Sequence, residues 1–285
     1  MTRKLLTLLL FGLSACNVVA DTASGERHRI VSLSPHLAEL VFAVGAGDRL
    51  VGVSAYTDFP EAAASLPIIG DAFMLDLERM TLLNPDLLLA WKSGTPAHVV
   101  DELASQGYKV EVIRTRSLLD IPEALRRIGG LTGQSAAASV VAEEFVTGLQ
   151  LLEEGARDAA PIRVFYQVSE RPLYTINGEH YVSQLIEICG GTNIFADLGK
   201  LAPLIGVEAV LERDPEVMLA GDDAGPEAFR EWERLQGIAA SRYGNRFWMP
   251  AAEIGRATPR LLDAGAAICR ALVVGRSNRR VANGR

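Results

Sequence analysis

A long amphipathic helix near the middle of the chain constrains the fold more than any other feature. Between Ser135 and about Asp158, apolar side chains recur every three or four residues, with polar side chains on the opposite side. The apolar stripe comprises Val141, Phe145, Leu149 and Leu152, and the polar stripe comprises Glu143, Thr147, Gln150, Glu154 and Arg157. Ser135 is a suitable N-cap, and Pro161 stops the helix. Such a helix is roughly 35 Å long, enough to span a domain.

Alternating strand-like and helix-like segments of comparable length lie on both sides of this helix. Near the start, residues 30–33 have the pattern of a short buried strand, and Ser34 and Pro35 then begin a helix. We therefore predict an α/β protein with two Rossmann-like lobes, residues 29–131 and 161–274, joined by a connector helix at 132–160. The alternative is an ordinary long helix inside a single domain.

Both ends of the chain lie outside the predicted lobes. Arg3 and Lys4 precede a short apolar run and then small residues, which predicts that the first twenty residues are a secretory signal peptide and that the protein is periplasmic. Cleavage before Cys16 would leave a lipid anchor on that cysteine, whereas cleavage after Ala20 would not. Residues 275–285 are rich in arginine and lack apolar periodicity, so we predict a solvated basic tail there.

Charge and histidine content exclude several classes of function. The formal net charge is −7, which makes nucleic acid an unsuitable partner. No segment after the signal approaches the roughly 20 apolar residues that a membrane-spanning helix needs. The four histidines are scattered, and the pair His36 and Glu39 lies in the first turn of a predicted helix, where a carboxylate suits the helix dipole. We therefore predict no metal site.

The cysteine content fits an exported protein. Removal or lipidation of Cys16 leaves Cys189 and Cys269, an even pair in an oxidising compartment. A disulfide and a pair of buried free thiols are both consistent with this count.

Aromatic residues follow two predicted strands of the first lobe. Tyr56 opens the polar and aromatic loop 56–60, and Trp91 follows a continuous apolar strand at 86–90. Ligands collect at the carboxyl ends of strands in open α/β sheets, so Tyr56 and Trp91 are candidate ligand contacts.

One segment of the first half is echoed in the second half. Residues 77–90 align without gaps on residues 207–220, with a glutamate, a proline and a final Leu-Ala pair in common. Glu78 and Glu208 consequently occupy equivalent positions, each in the first turn of a short helix. The alternative interpretation is that each carboxylate only compensates a helix dipole.

Seven short segments together carry a family pattern: RIVSLSP at 29–35, VGVSAYTDFP at 51–60, LER at 77–79, NPD at 84–86, AWK at 90–92, CGGTNIF at 189–195 and RATPR at 256–260. As a set they resemble the cobalamin-binding branch of the helical-backbone binding proteins of ABC importers. The resemblance implies a monomeric receptor that binds cobalamin between its lobes and delivers it to an inner-membrane ABC permease with its ATPase subunits. Sister branches of this architecture carry haem or ferric siderophores, which are the alternative ligands.

The resemblance also implies roles for individual residues. It places Tyr56, Phe73, Trp91, Tyr174 and Arg256 at the ligand. It makes Glu78 and Glu208 the groups that dock onto permease arginines, and it pairs Cys189 with Cys269 in a disulfide.

The chain departs from the family pattern at two places. Ala72 and Phe73 stand where a tryptophan is expected, and Ala202 stands where another would be. These differences concern the ligand more than the fold.

An enzyme is the alternative from a different class. No nucleophile elbow, P-loop or dinucleotide-binding glycine motif follows a predicted strand. We therefore predict a binding protein without catalytic residues, with cobalamin as a transported ligand and no resident cofactor.

Overall fold

Two separate parallel sheets form the framework of the protein. A computed structural model describes residues 28–71 and 74–284. Each sheet has four strands, and the sheet orders are β2-β1-β3-β4 and β6-β5-β7-β8. The predicted two-lobed α/β class is therefore confirmed. The predicted signal peptide, Cys16, Ala72, Phe73 and Arg285 lie outside the described residues.

The first lobe contains strands β1 to β4 and helices α1 to α5. The strands are β1 Ile30–Ser32, β2 Leu50–Val53, β3 Leu87–Trp91 and β4 Val110–Ile113. The helices are α1 Pro35–Ala43, α2 Glu61–Ala64, α3 Leu77–Leu83, α4 Ala97–Ser105 and α5 Asp120–Leu131. Helices cover the sheet, and the central strands β1 and β3 are almost entirely buried, which is why they have nearly continuous apolar sequences.

The second lobe follows the connector α6 Ser135–Ala156 and has the same sheet order. Its strands are β5 Ile162–Gln167, β6 Gly191–Asn193, β7 Val217–Gly221 and β8 Arg246–Met249. Its helices are α7 Tyr181–Ile188, α8 Val207–Arg213, α9 Arg230–Arg234, α10 Ala239–Tyr243, α11 Ala251–Ile254 and α12 Leu261–Asn283. Single 3₁₀ turns occupy Gly47–Arg49, Asp222–Ala224 and Pro226–Phe229.

The connector α6 packs on both lobes, as its amphipathic pattern predicts. It lies against α5 of the first lobe and against α7 and α12 of the second. Phe145 and Leu149 of the predicted stripe are buried, together with Ala138 and Ala142. At Gly148 the approach of α12 is so close that a Cβ atom would lie 2.5 Å from Leu262 Cδ1. The connector therefore packs both lobes against a single continuous helix.

The repeated sequence segment has the same structure in both lobes. Helices α3 and α8 each have seven residues and end in a left-handed cap, at Asn84 and Asp214 respectively, both with φ of 41°. The backbone amide of Arg29 donates to Asp86, and that of Arg163 donates to Glu216 in the same way. The echo therefore reflects a repeated supersecondary unit.

The prediction of a solvated tail at 275–285 was wrong, because α12 continues to Asn283. Arg276 is only 6% exposed. Its guanidinium donates to the carbonyl oxygens of Ala160 at 2.7 Å, Cys189 at 3.0 Å and Gly190 at 2.9 Å. Two of these carbonyls follow the end of α7, where a cation also suits the helix dipole. One residue of this arginine-rich segment, Arg276, is therefore packed inside the second lobe.

A Cys189–Cys269 disulfide joins the end of α7 to α12, which confirms the pairing that the family resemblance implies. The two cysteines are 80 residues apart in the sequence. In the chain-entropy model, a loop of this length stabilises the folded state by roughly 4.5 kcal/mol.

Within residues 28–71 and 74–284, no helix is long and apolar enough to cross a membrane.

Candidate ligand-binding site

The carboxyl ends of β1, β2 and β3 surround a cavity of about 500 Å³, called here the first-lobe cavity. Three successive strand ends and the turns that follow them contribute its walls. The lining residues are Leu33, Ser34, Pro35, Ser54, Ala55, Tyr56, Asp71, Trp91, Gly94 and Thr95. This is the place at which open α/β sheets bind ligands.

Trp91 forms a fixed wall of the cavity. It is the last residue of β3, and the turn after it is closed by two hydrogen bonds between Trp91 and Thr95, of 3.0 and 2.8 Å. The indole lies over Gly94, where a Cβ atom would come within 2.0 Å of Cε3. Only glycine allows the ring to fold down onto this turn.

His36 supports Trp91 from behind. The two rings meet edge to face with centroids 4.9 Å apart. The imidazole Nδ1 lies 2.6 Å from Ser34 Oγ, and Nε2 lies 3.1 Å from Thr115 Oγ1. Burial, and secondarily the charge of Arg256, lower the pKa of His36 to about 3. The ring is therefore neutral at ordinary pH. It contacts residues at or just after the carboxyl ends of three strands, β1, β3 and β4.

Tyr56 stands at the rim of the cavity and is 83% exposed. It belongs to the Tyr56 loop, defined here as residues 54–60. Its φ of 65° is in the left-handed region, which a tyrosine adopts only when its surroundings hold it there. Within the loop Thr57 Oγ1 donates to the Ser54 carbonyl at 2.8 Å, and the Ala55 amide donates to the Gly70 carbonyl at 2.7 Å.

Arg256 reaches the same loop from the second lobe, where it lies between α11 and α12. Its Nη2 donates to the Tyr56 carbonyl oxygen at 3.1 Å, and its Nη1 donates to Glu39 Oε1 at 2.7 Å and to Asp58 Oδ1. Burial alone would lower the pKa of Arg256, but hydrogen bonds to Asp58 and Glu39 raise it. The hydrogen bond from Arg256 is also the main reason that the pKa of Asp58 is lowered.

Glu39 is the buried centre of this contact between the lobes. It is 4% exposed, and Arg260 approaches the same oxygen at 3.6 Å while stacking over the Phe59 ring at 4.0 Å. The sequence interpretation of Glu39 as dipole compensation was therefore wrong. Its hydrogen-bond partner Arg256 is 217 residues away in the sequence, and no local sequence pattern predicts such a pair.

Tyr174 lies in the second lobe and does not line the first-lobe cavity. The Val168 amide donates to the Tyr174 carbonyl at 2.9 Å, and the Tyr174 amide donates to the Ser169 carbonyl at 3.2 Å. Both partners follow β5, so Tyr174 lies near the carboxyl edge of the second sheet. Of the predicted ligand contacts, Tyr56 and Trp91 line the first-lobe cavity, Arg256 binds the backbone of Tyr56, Tyr174 does not line this cavity, and Phe73 lies outside the described residues.

Four other polar residues of the site were not identified from the sequence as ligand contacts. They are Ser34, Ser54, Asp71 and Thr95, which line the first-lobe cavity. Ser54 lies at the end of one segment predicted as a strand and Thr95 lies in the turn after another, so their position near a strand end was the available signal. The described residues contain no group of three or more His, Cys, Asp or Glu side chains that could hold a metal ion.

Glu78 and Glu208 are exposed in the first turns of α3 and α8. The repeated units place them at equivalent positions, one on each lobe. Neither carboxylate lines the first-lobe cavity.

The sequence model of the periplasmic binding protein family matches residues 30–253, and the chain belongs to this family. The vitamin B12-binding protein of Vibrio cholerae is 31% identical over 268 residues, which cover 92% of this chain and 97% of that protein. The vitamin B12-binding protein of Yersinia pestis is 32% identical over 251 residues, 85% of each chain.

Solved structures agree with this assignment. The periplasmic vitamin B12-binding protein BtuF of Vibrio cholerae superposes with a TM-score of 0.79 at 31% identity, over 87% of this chain and 98% of that one. The periplasmic haem-binding protein HutB of the same organism has a TM-score of 0.76 at 21% identity, over 86% and 99% of the two chains. The second likeness concerns the fold alone.

Proposed function

We propose that this protein captures cobalamin in the cleft between its lobes and delivers it to an ABC permease of the inner membrane. The observation that carries the proposal is the similarity to vitamin B12-binding proteins over nearly the whole chain, at 31% identity in sequence and with a TM-score of 0.79 in structure. The haem-binding relatives share the fold at lower identity.

The chemistry of the first-lobe cavity suits this ligand. A corrin is a large rigid ring with apolar faces and a rim of amides, so it needs flat aromatic walls and a few hydrogen-bonding groups. Trp91 supplies a fixed wall, Tyr56 supplies a second ring at the rim, and Ser34 and Thr95 supply hydroxyl groups. Tyr174 would complete the cleft from the second lobe, and Phe73 would contribute from the loop before α3.

The lobes are held so that the cleft is largely formed before the ligand arrives. Besides α6, the Leu118 amide donates to Gln184 Oε1 across the lobes at 2.9 Å, and Arg116 pairs with Glu179. A preformed cleft reduces the ordering cost of binding. Ligand binding would therefore reorganise the backbone little.

Delivery would use the exposed pair Glu78 and Glu208. One carboxylate on each lobe, at equivalent positions, fits a partner that presents two equivalent cationic sites. The protein would act in the periplasm as a monomer, either free or anchored through Cys16. The permease and its ATPase subunits would supply the energy for transport.

Absorption spectroscopy tests the ligand directly. Purified protein is incubated separately with cyanocobalamin, haem and a ferric siderophore, and unbound ligand is then removed by desalting. The proposal expects the corrin spectrum to remain with the protein at one equivalent. If haem or the siderophore stays with the protein after desalting and cobalamin does not, the protein belongs to another branch of the family.

A further inference from the structure

We propose that Arg256 is a positioning residue, which acts on the ligand by holding the Tyr56 backbone rather than by contacting the ligand. The inference rests on the proposed function and makes its site more specific. It follows from three features of the contact between the lobes: the conformation of Tyr56, the atoms that Arg256 binds, and the burial of Glu39.

Tyr56 needs an external restraint. Its backbone is in the left-handed region and its side chain is exposed, so packing of the ring does not fix its direction. The hydrogen bond from Arg256 Nη2 to the Tyr56 carbonyl ties this backbone to the second lobe. The aromatic ring at the cavity rim is therefore aimed by a residue 200 positions away.

Both terminal nitrogens of the Arg256 guanidinium donate hydrogen bonds to residues of the first lobe. Nη1 binds two carboxylates, those of Glu39 and Asp58, and Nη2 binds the Tyr56 carbonyl. Charge-assisted hydrogen bonds of this kind are roughly twice as strong as neutral ones. A ligand that recruited Arg256 directly would have to compete with these contacts.

Glu39 makes the arrangement testable, because it is buried and does not line the first-lobe cavity. It is buried beneath Arg256 and also attracts Arg260. If Arg256 acts by positioning, neutralising Glu39 must disturb the Tyr56 loop as neutralising Arg256 does. If Arg256 acts by direct contact, the substitution of Glu39 has no such effect on the loop.

Hydrogen exchange of the ligand-free protein tests the restraint itself. Peptides that cover the Tyr56 loop are compared among wild type, Arg256→Gln, Glu39→Gln and the milder Asp58→Asn. We expect exchange of the loop amides to be about tenfold faster in the first two variants and less accelerated in the third, given the strength of hydrogen bonds to charged groups. Arg116→Gln, which removes a different ion pair between the lobes, should leave the loop unchanged. Equal loop exchange in wild type and Arg256→Gln would overturn the proposal.

A double-mutant cycle tests the consequence for binding. Arg256→Gln should weaken cyanocobalamin binding about tenfold or more when Tyr56 is present, and should have no further effect in the Tyr56→Ala background. An equal loss in both backgrounds would assign Arg256 to direct contact and overturn the inference. Absence of cobalamin binding by wild type would contradict the proposed function instead, and the exchange experiment would still decide the role of Arg256.

Discussion

Trp91 is the residue whose replacement should weaken binding most clearly. Trp91→Ala is expected to weaken cyanocobalamin binding by about 1 to 3 kcal/mol, because it removes a flat, fixed wall of the cavity. Equilibrium titration measures the change, and thermal melting confirms that the variant is folded. Trp248→Phe is the control, since Trp248 lies outside the first-lobe cavity. An unchanged affinity in a folded Trp91→Ala protein would show that Trp91 only packs.

His36 makes stability depend on pH. The folded protein keeps this ring neutral, with its pKa lowered to about 3, whereas the unfolded chain protonates it near pH 6.5. The unfolded state therefore binds more protons, and the free energy of unfolding falls as the pH decreases from about 6.5.

The corresponding experiment measures chemical unfolding between pH 6.5 and 4.5. His36→Gln should reduce the dependence on pH by up to about 1.4 kcal/mol per pH unit, the contribution of one proton. His98→Gln on the exposed face of α4 is the matched control and should leave the dependence unchanged. The same dependence in His36→Gln as in wild type would contradict the role of burial.

At the residue scale, the sequence predicted side chains at strand ends but not their long-range partners. Tyr56 and Trp91 were found because each follows an apolar strand, and strand ends meet at one edge of a parallel sheet. The contact between Arg256 and Glu39 was missed because it depends on how two lobes pack, and both residues look locally like ordinary surface charges.

At the element scale, Arg276 should matter more for stability than any neighbouring arginine. Arg276→Met leaves three carbonyl oxygens without their guanidinium donor, and we expect a loss of about 1 to 3 kcal/mol or more in the free energy of unfolding. Denaturant titration measures the loss. Arg280→Met, an exposed position on the same helix, should change stability little. Equal effects of the two substitutions would restore the interpretation of a solvated tail.

The elements themselves were predicted with uneven success. The strands β3 and β7 were visible as continuous apolar runs because both of their faces are buried. The connector α6 was visible through its helical period, although it ends at Ala156 rather than near Asp158. The last turns of α12 were missed because Gly275 and Arg276, its buried residues there, are not apolar side chains.

At the scale of the whole molecule, the repeat of 77–90 at 207–220 gives a prediction about transport. Replacing Glu78 and Glu208 together by alanine should leave stability and ligand affinity nearly unchanged, because exposed carboxylates contribute only about 0.2 to 1 kcal/mol as ion pairs. Uptake of cobalamin through the permease should fall if the proposed function is correct, since both proposed docking groups are lost. Normal uptake by the double variant would mean that the two carboxylates only compensate helix dipoles.

The two-lobed arrangement could be predicted because the sequence repeats a unit on each side of α6, and the repeat appears as two sheets of the same order. The shape of the cleft could not be predicted from the sequence, because it depends on contacts between the lobes, such as the hydrogen bond from the Leu118 amide to Gln184.

Isothermal titration calorimetry with cyanocobalamin and with haem, on the chain without its first twenty residues, distinguishes a cobalamin-binding protein from a haem-binding one. We expect saturable binding of cyanocobalamin at one molecule per protein, with no comparable binding of haem. Saturable binding of haem without any heat from cyanocobalamin would contradict the assignment of cobalamin as the ligand, and the residues in place of the two expected tryptophans, at Phe73 and Ala202, would then be the first to examine.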